Sequence, residues 1–183
     1  MNNDQMLALK GMHIAPYIQL ATALIGKLRK GGGNMFRHQL DTMAVLIDYG
    51  HIDPILLKAS VIHDLVEDIP DYDVSHILSI DEESQDVYAL VLEVTRRALE
   101  TKEAFLERIR LCGSEKARIL KCADRISNMI SLGYVTDMEF VRRYTDETEN
   151  YIYPIAGTLE CGMLAELRTL VESRRYCLRT GTS

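Results

Sequence analysis

The chain has 183 residues, of which 47% are hydrophobic and 26% charged, and its formal net charge is −6. This length and balance predict one globular domain with a substantial core and exclude a mainly disordered chain. The acidic charge disfavours nucleic acid as a partner, because phosphate backbones attract basic surfaces. It still allows a small anionic substrate in a locally basic pocket.

Three features that the sequence lacks indicate the cellular compartment of the protein. The four cysteines form no CxxC pair and have no zinc-ribbon spacing, which favours free thiols in a reducing environment. The first residues contain no apolar signal segment. The longest uncharged run, 11–26, is shorter than the roughly 20 apolar residues that a membrane span needs. We therefore expect a cytoplasmic protein without a membrane partner.

Apolar residues recur at helical spacing from residue 19 onward. The first predicted helix, 19–30, ends with the basic pair Arg29-Lys30 and a triple glycine that is typical of a helix stop. A second helix covers 35–50. Asp53 and Pro54 then predict the N-cap and first residue of a helix that continues to about residue 69.

The second half of the chain continues the same pattern. The predicted helices cover 75–80, 83–98, 101–112 with Thr101 as N-cap, 115–132 with Ser114 as N-cap, 137–159, and a C-terminal helix at 161–178. No alternating strand pattern or internal repeat occurs. The predicted fold class is therefore all-α, a single compact helical bundle over residues 1–183.

The segment VIHDLVED, residues 61–68, places one histidine and three carboxylates on a helix whose other residues predict burial. His63 is four residues before Glu67, and Asp64 is four before Asp68, so the two pairs occupy faces about 100° apart. Some of these charges must face inward if the apolar residues between them are to reach the core. An unpartnered inward carboxylate is costly, so the segment predicts a bound cation.

Further metal-binding side chains occur on two other predicted helices. His38 lies on the helix before this segment, and Asp124 lies one turn before Asn128 on an otherwise apolar helix. Together with His63 and Asp64 they would form a mixed nitrogen–oxygen ligand set. Such a set suits manganese, iron or zinc better than calcium or magnesium, and it leaves coordination positions for water and substrate oxygens.

These motifs resemble those of a known family. An early histidine, then HD, then a distant aspartate resembles the signature of the HD metal-dependent phosphohydrolases. The HDLVED run, the EVT segment at 93–95, KCADRISNM at 121–129 and ET-x5-PIA at 147–156 resemble one branch of them more particularly. Within these, the chain is similar to the hydrolase domain of the RelA/SpoT family and its stand-alone small alarmone hydrolases. The resemblance covers about residues 20–156 and implies an HD-domain helical bundle.

The resemblance also implies a reaction and a role for each matching residue. The family removes the 3′-pyrophosphate of the guanosine alarmones ppGpp and pppGpp. The implied roles are Mn²⁺ ligation by His38, His63, Asp64 and Asp124, orientation and activation of water by Glu67 and Asp68, a nucleotide contact from Asn128, guanine binding by Arg29 and Lys30, and lining of the site by Thr95.

Basic side chains near these motifs are candidates to hold the remaining phosphate charge. They are Lys121 and Arg125, together with Arg96, Arg97 and Lys102, whose individual roles the sequence leaves open. Arg29 and Lys30 also have a simpler interpretation, because basic residues before a glycine stop are ordinary helix C-capping. The sequence does not specify an oligomeric state.

Four departures from the family pattern leave the substrate open. Met35 replaces a usual tyrosine, Gln39 a usual proline, and Glu93 a usual small or acidic residue, while Ile130-Ser131 replace an Arg-Thr pair. We expect all four to touch the nucleotide pocket or its edge. Two alternatives therefore remain: an HD phosphohydrolase acting on another nucleotide or phosphorylated metabolite, and a nucleotide-binding regulator without turnover.

Overall fold

The computed structural model describes residues 1–180, which form α-helices joined by short loops and contain no β-strand. The helices are α1 (Asn3–Gly11), α2 (Ala15–Ala21), α3 (Met35–Asp48), α4 (Pro54–Ser60), α5 (Leu65–Asp68), α6 (Ser75–Leu78), α7 (Ser84–Val94), α8 (Lys102–Cys112), α9 (Glu115–Ser131), α10 (Met138–Glu147), α11 (Tyr153–Ala156) and α12 (Met163–Thr180). The predicted all-α fold class is confirmed. None of these helices is both long and apolar enough to cross a membrane.

Helix α9 is the central packing element of the fold. It contacts α3, α7 and α12, and its apolar residues Leu120, Ala123 and Ile126 are completely buried. Burial of a large apolar side chain contributes about 1.5–3 kcal/mol, so this face anchors the helix firmly. Asp124 lies within the same buried stretch, and the core therefore positions a carboxylate in the interior.

The predicted N-caps are confirmed. The side chains of Asp53, Thr101 and Ser114 each accept a hydrogen bond from the backbone N–H three residues further on, at the starts of α4, α8 and α9. These bonds satisfy donors that have no partner inside the helix. The starts of the helices that carry or flank the site are thus determined by local sequence.

The single helix predicted over residues 53–69 is wrong, because α4 ends at Ser60 and α5 begins only at Leu65. In a continuous helix the Ser60 carbonyl would accept from the N–H of Asp64. Instead it accepts from Nδ1 of His63 at 2.8 Å, and the Asp64 N–H donates to Oε1 of Gln39 at 3.4 Å. His63 and Asp64 therefore lie in a turn between two helices.

The helix predicted over residues 19–30 is also wrong at its C-terminal half. Helix α2 ends at Ala21 and is followed by a 3₁₀ turn, Thr22–Leu24. Leu28 then forms an isolated antiparallel bridge with Asn34, and Gly32 and Gly33 between them have φ values of +82° and +71°. The triple glycine is thus part of a hairpin-like loop, which rules out the C-capping interpretation of Arg29 and Lys30.

Two other helices are shorter than predicted. Helix α7 ends at Val94, where the Arg108 guanidinium binds the carbonyls of Glu93 and Thr95. The stretch predicted as one helix over 137–159 consists of α10, a π-helical turn at Thr148–Ile152, and α11. Pro154 lies in the first turn of α11, where its missing N–H is tolerated.

Helix α1 is an element that the apolar periodicity does not predict. Asn2 and Gln5 form a reciprocal capping box at its start, and Gln5 also donates to the Gly50 carbonyl at 3.0 Å. No residue of α1 is fully buried. The signal in the sequence is therefore the Asn-x-x-Gln pattern of the cap and not a hydrophobic stripe.

Candidate metal centre and active site

Three side chains from separate elements converge inside the bundle. His38 on α3, His63 in the 61–64 turn and Asp124 on α9 each place one ligand atom within 4.8 Å of the others. Nε2 of His38 lies 3.0 Å from Oδ1 of Asp124, and Nε2 of His63 lies 3.8 Å from the same oxygen. All three are buried. Two imidazoles and a carboxylate are donors that transition-metal ions bind readily.

The tautomer of His63 fits a metal ligand. Its Nδ1 atom lies 2.8 Å from the Ser60 carbonyl oxygen, which can only accept, so Nδ1 carries the hydrogen in the neutral ring. Nε2 then has a free lone pair. This atom is buried and has no hydrogen-bond partner among residues 1–180. A buried nitrogen directed at a second imidazole and two carboxylates is what a bound cation would satisfy.

Asp64 lies next to this group. Its Oδ2 atom is 3.2 Å from Nε2 of His63 and 3.7 Å from Nε2 of His38. It is half-buried, and it accepts a hydrogen bond of 2.9 Å from the side-chain amide of Gln39. The structure therefore brings all four sequence-predicted ligands to one centre, with three in a compact group and Asp64 beside them.

The other candidate ligands are also held by hydrogen bonds from outside the group. Ser127 Oγ lies 2.9 Å from Nδ1 of His38. Lys121 donates to Oδ2 of Asp124 at 2.7 Å, and Asn128 donates to Oδ1 of the same carboxylate at 2.5 Å. Such partners orient metal ligands and set their basicity. The centre is thus preorganised by the protein.

The charges at the centre change the pKa values of its members. Burial favours the neutral carboxyl of Asp124, but the positive charge of Lys121 and the hydrogen bond to His38 outweigh it and hold the Asp124 pKa well below its usual range. Burial disfavours protonated His63, but the negative charges of Asp64 and Asp124 outweigh it and raise the His63 pKa to about 9. The cluster therefore attracts positive charge, either as a proton or as a metal ion.

This electrostatic balance predicts a pH dependence for the metal-free protein. The raised pKa of His63 means that its contribution to stability is complete below pH 6.5, its ordinary pKa, and is lost as the pH rises through about 9. Urea unfolding in EDTA at about pH 6 and about pH 9.5 measures this loss. A His63→Gln variant should show a smaller change between the two, and equal changes in both proteins would contradict the prediction.

A cavity of ≈ 360 Å³ opens beside the candidate metal centre. Its wall combines acidic, basic and aromatic residues. The lining residues are Met35, His38, Asp64, Glu67, Asp68, Arg96, Lys102, Phe105, Lys121, Asp124, Arg125, Asn128 and Tyr144. An anionic ligand in this cavity could therefore contact both a metal ion at the cluster and cationic side chains.

The acidic pair Glu67 and Asp68 lies on α5 and lines this cavity. Nζ of Lys27 contacts Oδ1 of Asp68 at 2.5 Å and its carbonyl oxygen at 3.3 Å. Glu67 accepts from the backbone N–H of Arg96 at 3.3 Å. The two carboxylates are thus held at the cavity wall by contacts with two other segments of the chain.

The basic wall is built from side chains that bind other groups of the protein. Nη1 of Arg125 donates to Thr148 at 3.1 Å, Nη2 contacts Glu147, and the guanidinium lies 4.1 Å from the centre of the Tyr144 ring. Lys102 also contacts Glu147, at 2.8 Å. Arg125 therefore lines the cavity with its terminal nitrogens already engaged, and it contributes positive potential from a fixed position.

Arg29 and Lys30 lie beside a second cavity of ≈ 210 Å³ that shares Met35, Asn128 and Tyr144 with the first. Arg29 donates to Oδ1 of Asn128 at 2.6 Å and to Oγ of Ser131 at 3.2 Å. Nζ of Lys30 lies 4.5 Å from the centre of the Phe140 ring. Two of the predicted nucleotide contacts, Arg29 and Asn128, therefore bind each other.

Thr95 and two residues that depart from the family pattern, Glu93 and Gln39, are not among the residues that line the cavity. The Thr95 hydroxyl donates to the Val91 carbonyl at 2.8 Å, and the neighbouring Arg96, not Thr95, is among the lining residues described. Glu93 accepts from the backbone N–H of Ser114, and Gln39 is fully buried against Asp64. Each of these two side chains thus holds another part of the fold, and Gln39 reaches the edge of the cavity only through its bond to Asp64.

Three residues of the site, Lys27, Phe105 and Tyr144, belong to no motif that the sequence indicates. Lys27 pairs with Asp68 across 41 positions of sequence, so no local spacing indicates the contact. Tyr144 lies on the amphipathic helix α10, seven residues after the N-cap Asp137. The helical periodicity of α10 could have predicted that Tyr144 faces inward, but not that it lines this site.

The fold and the His/His/Asp cluster define a class: an all-α protein with a buried group of side chains that could hold a metal ion. No protein-family profile matches this sequence, and no curated protein is significantly similar to it. Among solved structures, the chain is similar to a metazoan ortholog of SpoT, described as hydrolysing ppGpp and acting in starvation responses. The TM-score is 0.75 at 22% identity, over 88% of this chain and 94% of the other. This likeness shows a shared fold.

Proposed function

We propose that this protein is a Mn²⁺-dependent hydrolase that removes the 3′-pyrophosphate of ppGpp and pppGpp. The observation that carries the proposal is one cavity lined by His38, Asp124, Asp64 and the acidic pair Glu67-Asp68, with His63 grouped with His38 and Asp124 beside it. The fold shared with a ppGpp-hydrolysing protein supports the same reaction class. The unpaired state of the four cysteines supports a reducing, cytoplasmic location.

In the proposed reaction, water is added across the bond between the 3′ oxygen and the pyrophosphate, giving GDP or GTP and pyrophosphate. When bound, Mn²⁺ supplies a Lewis acid that makes water more nucleophilic near neutral pH and withdraws charge from phosphorus. His38, His63, Asp64 and Asp124 would hold the ion. Glu67 and Asp68 would orient the attacking water and accept its proton.

The remaining lining residues would bind the rest of the substrate. Lys121, Arg125 and Lys102 add positive charge to the lining of the cavity, where phosphate oxygens would bind. Asn128, Arg29 and Lys30 border the smaller adjoining cavity, which would hold the nucleobase. Residues 1–183 would act together as one hydrolase domain.

Incubation of the purified protein with ppGpp and Mn²⁺, with products separated by chromatography, tests the proposal. We expect GDP and intact pyrophosphate, and no turnover when EDTA replaces the metal. Binding of ppGpp without hydrolysis in any divalent metal would contradict the enzymatic proposal.

One observation favours a second candidate, an HD phosphohydrolase acting on another nucleotide or phosphorylated metabolite. Arg29, the implied guanine contact, already donates to both Asn128 and Ser131. To bind the guanine base, Arg29 would have to exchange these bonds for bonds to the substrate. Inactivity on ppGpp combined with phosphate release from other nucleotides would select this candidate.

A further inference from the structure

We propose that Gln39 is a positioning residue that holds Asp64 in place as the fourth metal ligand. This inference rests on the metal-dependent function proposed above. Gln39 follows His38 directly on α3 and is fully buried. His38 is thus one candidate ligand, and the next residue of the same helix supports another, Asp64.

The amide of Gln39 binds both polar groups of Asp64. Its Nε2 donates to Oδ2 of the Asp64 carboxylate at 2.9 Å, and its Oε1 accepts the longer bond, 3.4 Å, from the Asp64 backbone N–H. Exchanging the amide oxygen and nitrogen would place a donor against a donor and an acceptor against an acceptor. The partners therefore determine the orientation of the amide.

The need for this support comes from the break between α4 and α5. His63 takes the Ser60 carbonyl, which leaves the N–H of Asp64 without its helical acceptor. Gln39 supplies the replacement acceptor from α3. The same side chain therefore stabilises the turn that presents both His63 and Asp64 to the centre.

Asp64 depends on this contact more than the other candidate ligands depend on theirs. Its side chain is 23% exposed, compared with 2% for His38, 3% for His63 and 8% for Asp124. Among residues 1–180, no lysine or arginine forms an ion pair with Asp64, whereas Asp124 has Lys121. The Gln39 amide is thus the group that orients the carboxylate. A proline at position 39, the usual family residue, has no side-chain amide and could make neither bond.

The test is a calorimetric titration of Mn²⁺ into the metal-free native chain and its Gln39→Met variant, which keeps the size of the side chain and removes the amide. We expect Mn²⁺ to bind roughly 10- to 100-fold more weakly to the variant, as for losses of other outer partners of metal ligands. Thr145→Val, which removes a buried hydrogen bond on α10, is the matched control and should keep native affinity.

A Gln39→Asn variant and a double-mutant cycle complete the test. Asparagine keeps a buried amide but is one methylene too short to reach Asp64, so it should weaken Mn²⁺ binding even if methionine prevents folding. In an Asp64→Ala background, Gln39→Asn should change Mn²⁺ affinity little, because Gln39 acts through Asp64. Native Mn²⁺ affinity in the folded Gln39 variants would overturn the positioning role of Gln39 but not the metal-dependent function. Absence of Mn²⁺ binding by the native chain would overturn the metal-dependent function as well.

Discussion

Replacement of Asp124 by asparagine is expected to abolish tight Mn²⁺ binding and to reduce hydrolysis at least about 1,000-fold. The variant keeps the shape of the side chain but removes a negative charge that lies within 4 Å of both imidazoles. His38 Nε2 is 3.0 Å and His63 Nε2 is 3.8 Å from Oδ1 of Asp124, so this carboxylate is the common point of the group. Metal content after dialysis and turnover of ppGpp measure the two losses.

The same substitution is expected to lower the free energy of unfolding of the metal-free protein by about 3 kcal/mol. Lys121 is largely buried and pairs with Asp124 at 2.7 Å, so the variant leaves its ammonium without a carboxylate. Asp41→Asn, at a half-exposed position on the same helix as His38, is the control and should retain both metal and stability. Native metal content in Asp124→Asn would refute the placement of the centre at this residue.

The helix starts could be predicted because their causes are local. Asp53, Thr101 and Ser114 each bind a backbone N–H three residues away, and the sequence shows both the cap and the helix that follows. The turn at 61–64 could not be predicted in this way. Its cause includes a bond from Gln39, 25 positions earlier, and helical spacing contains no information about such a contact.

The same distinction between local and distant causes applies to the candidate site. The resemblance to a family indicated His38, His63, Asp64 and Asp124, and the structure brings them together even though the helix expected to carry two of them is broken. The turn still directs His63 inward, because its Nδ1 binds the Ser60 carbonyl. Contacts such as Lys27 with Asp68 required the folded chain, since they join segments that are distant in sequence.

The substitutions Glu67→Gln and Asp68→Asn are expected to leave Mn²⁺ affinity within a few-fold of native while reducing turnover about 100- to 10,000-fold. Both carboxylates line the cavity, but neither belongs to the His38–His63–Asp124 group. Each amide variant keeps the size of the side chain and loses the capacity to accept a proton. Calorimetric titration of the metal and turnover of ppGpp at saturating substrate separate the two effects.

The ion pair between Lys27 and Asp68 provides an internal control for this experiment. Lys27→Met removes the pair and retains the carboxylate, so it should reduce turnover much less than Asp68→Asn does. The pair is partly exposed, with 44% of the Lys27 side chain accessible, and its loss should cost stability less than about 1 kcal/mol. Glu82→Gln, at an exposed position before α7, should be native in both measurements. Native turnover in both Glu67→Gln and Asp68→Asn would show that proton transfer and water orientation at this centre depend on other groups.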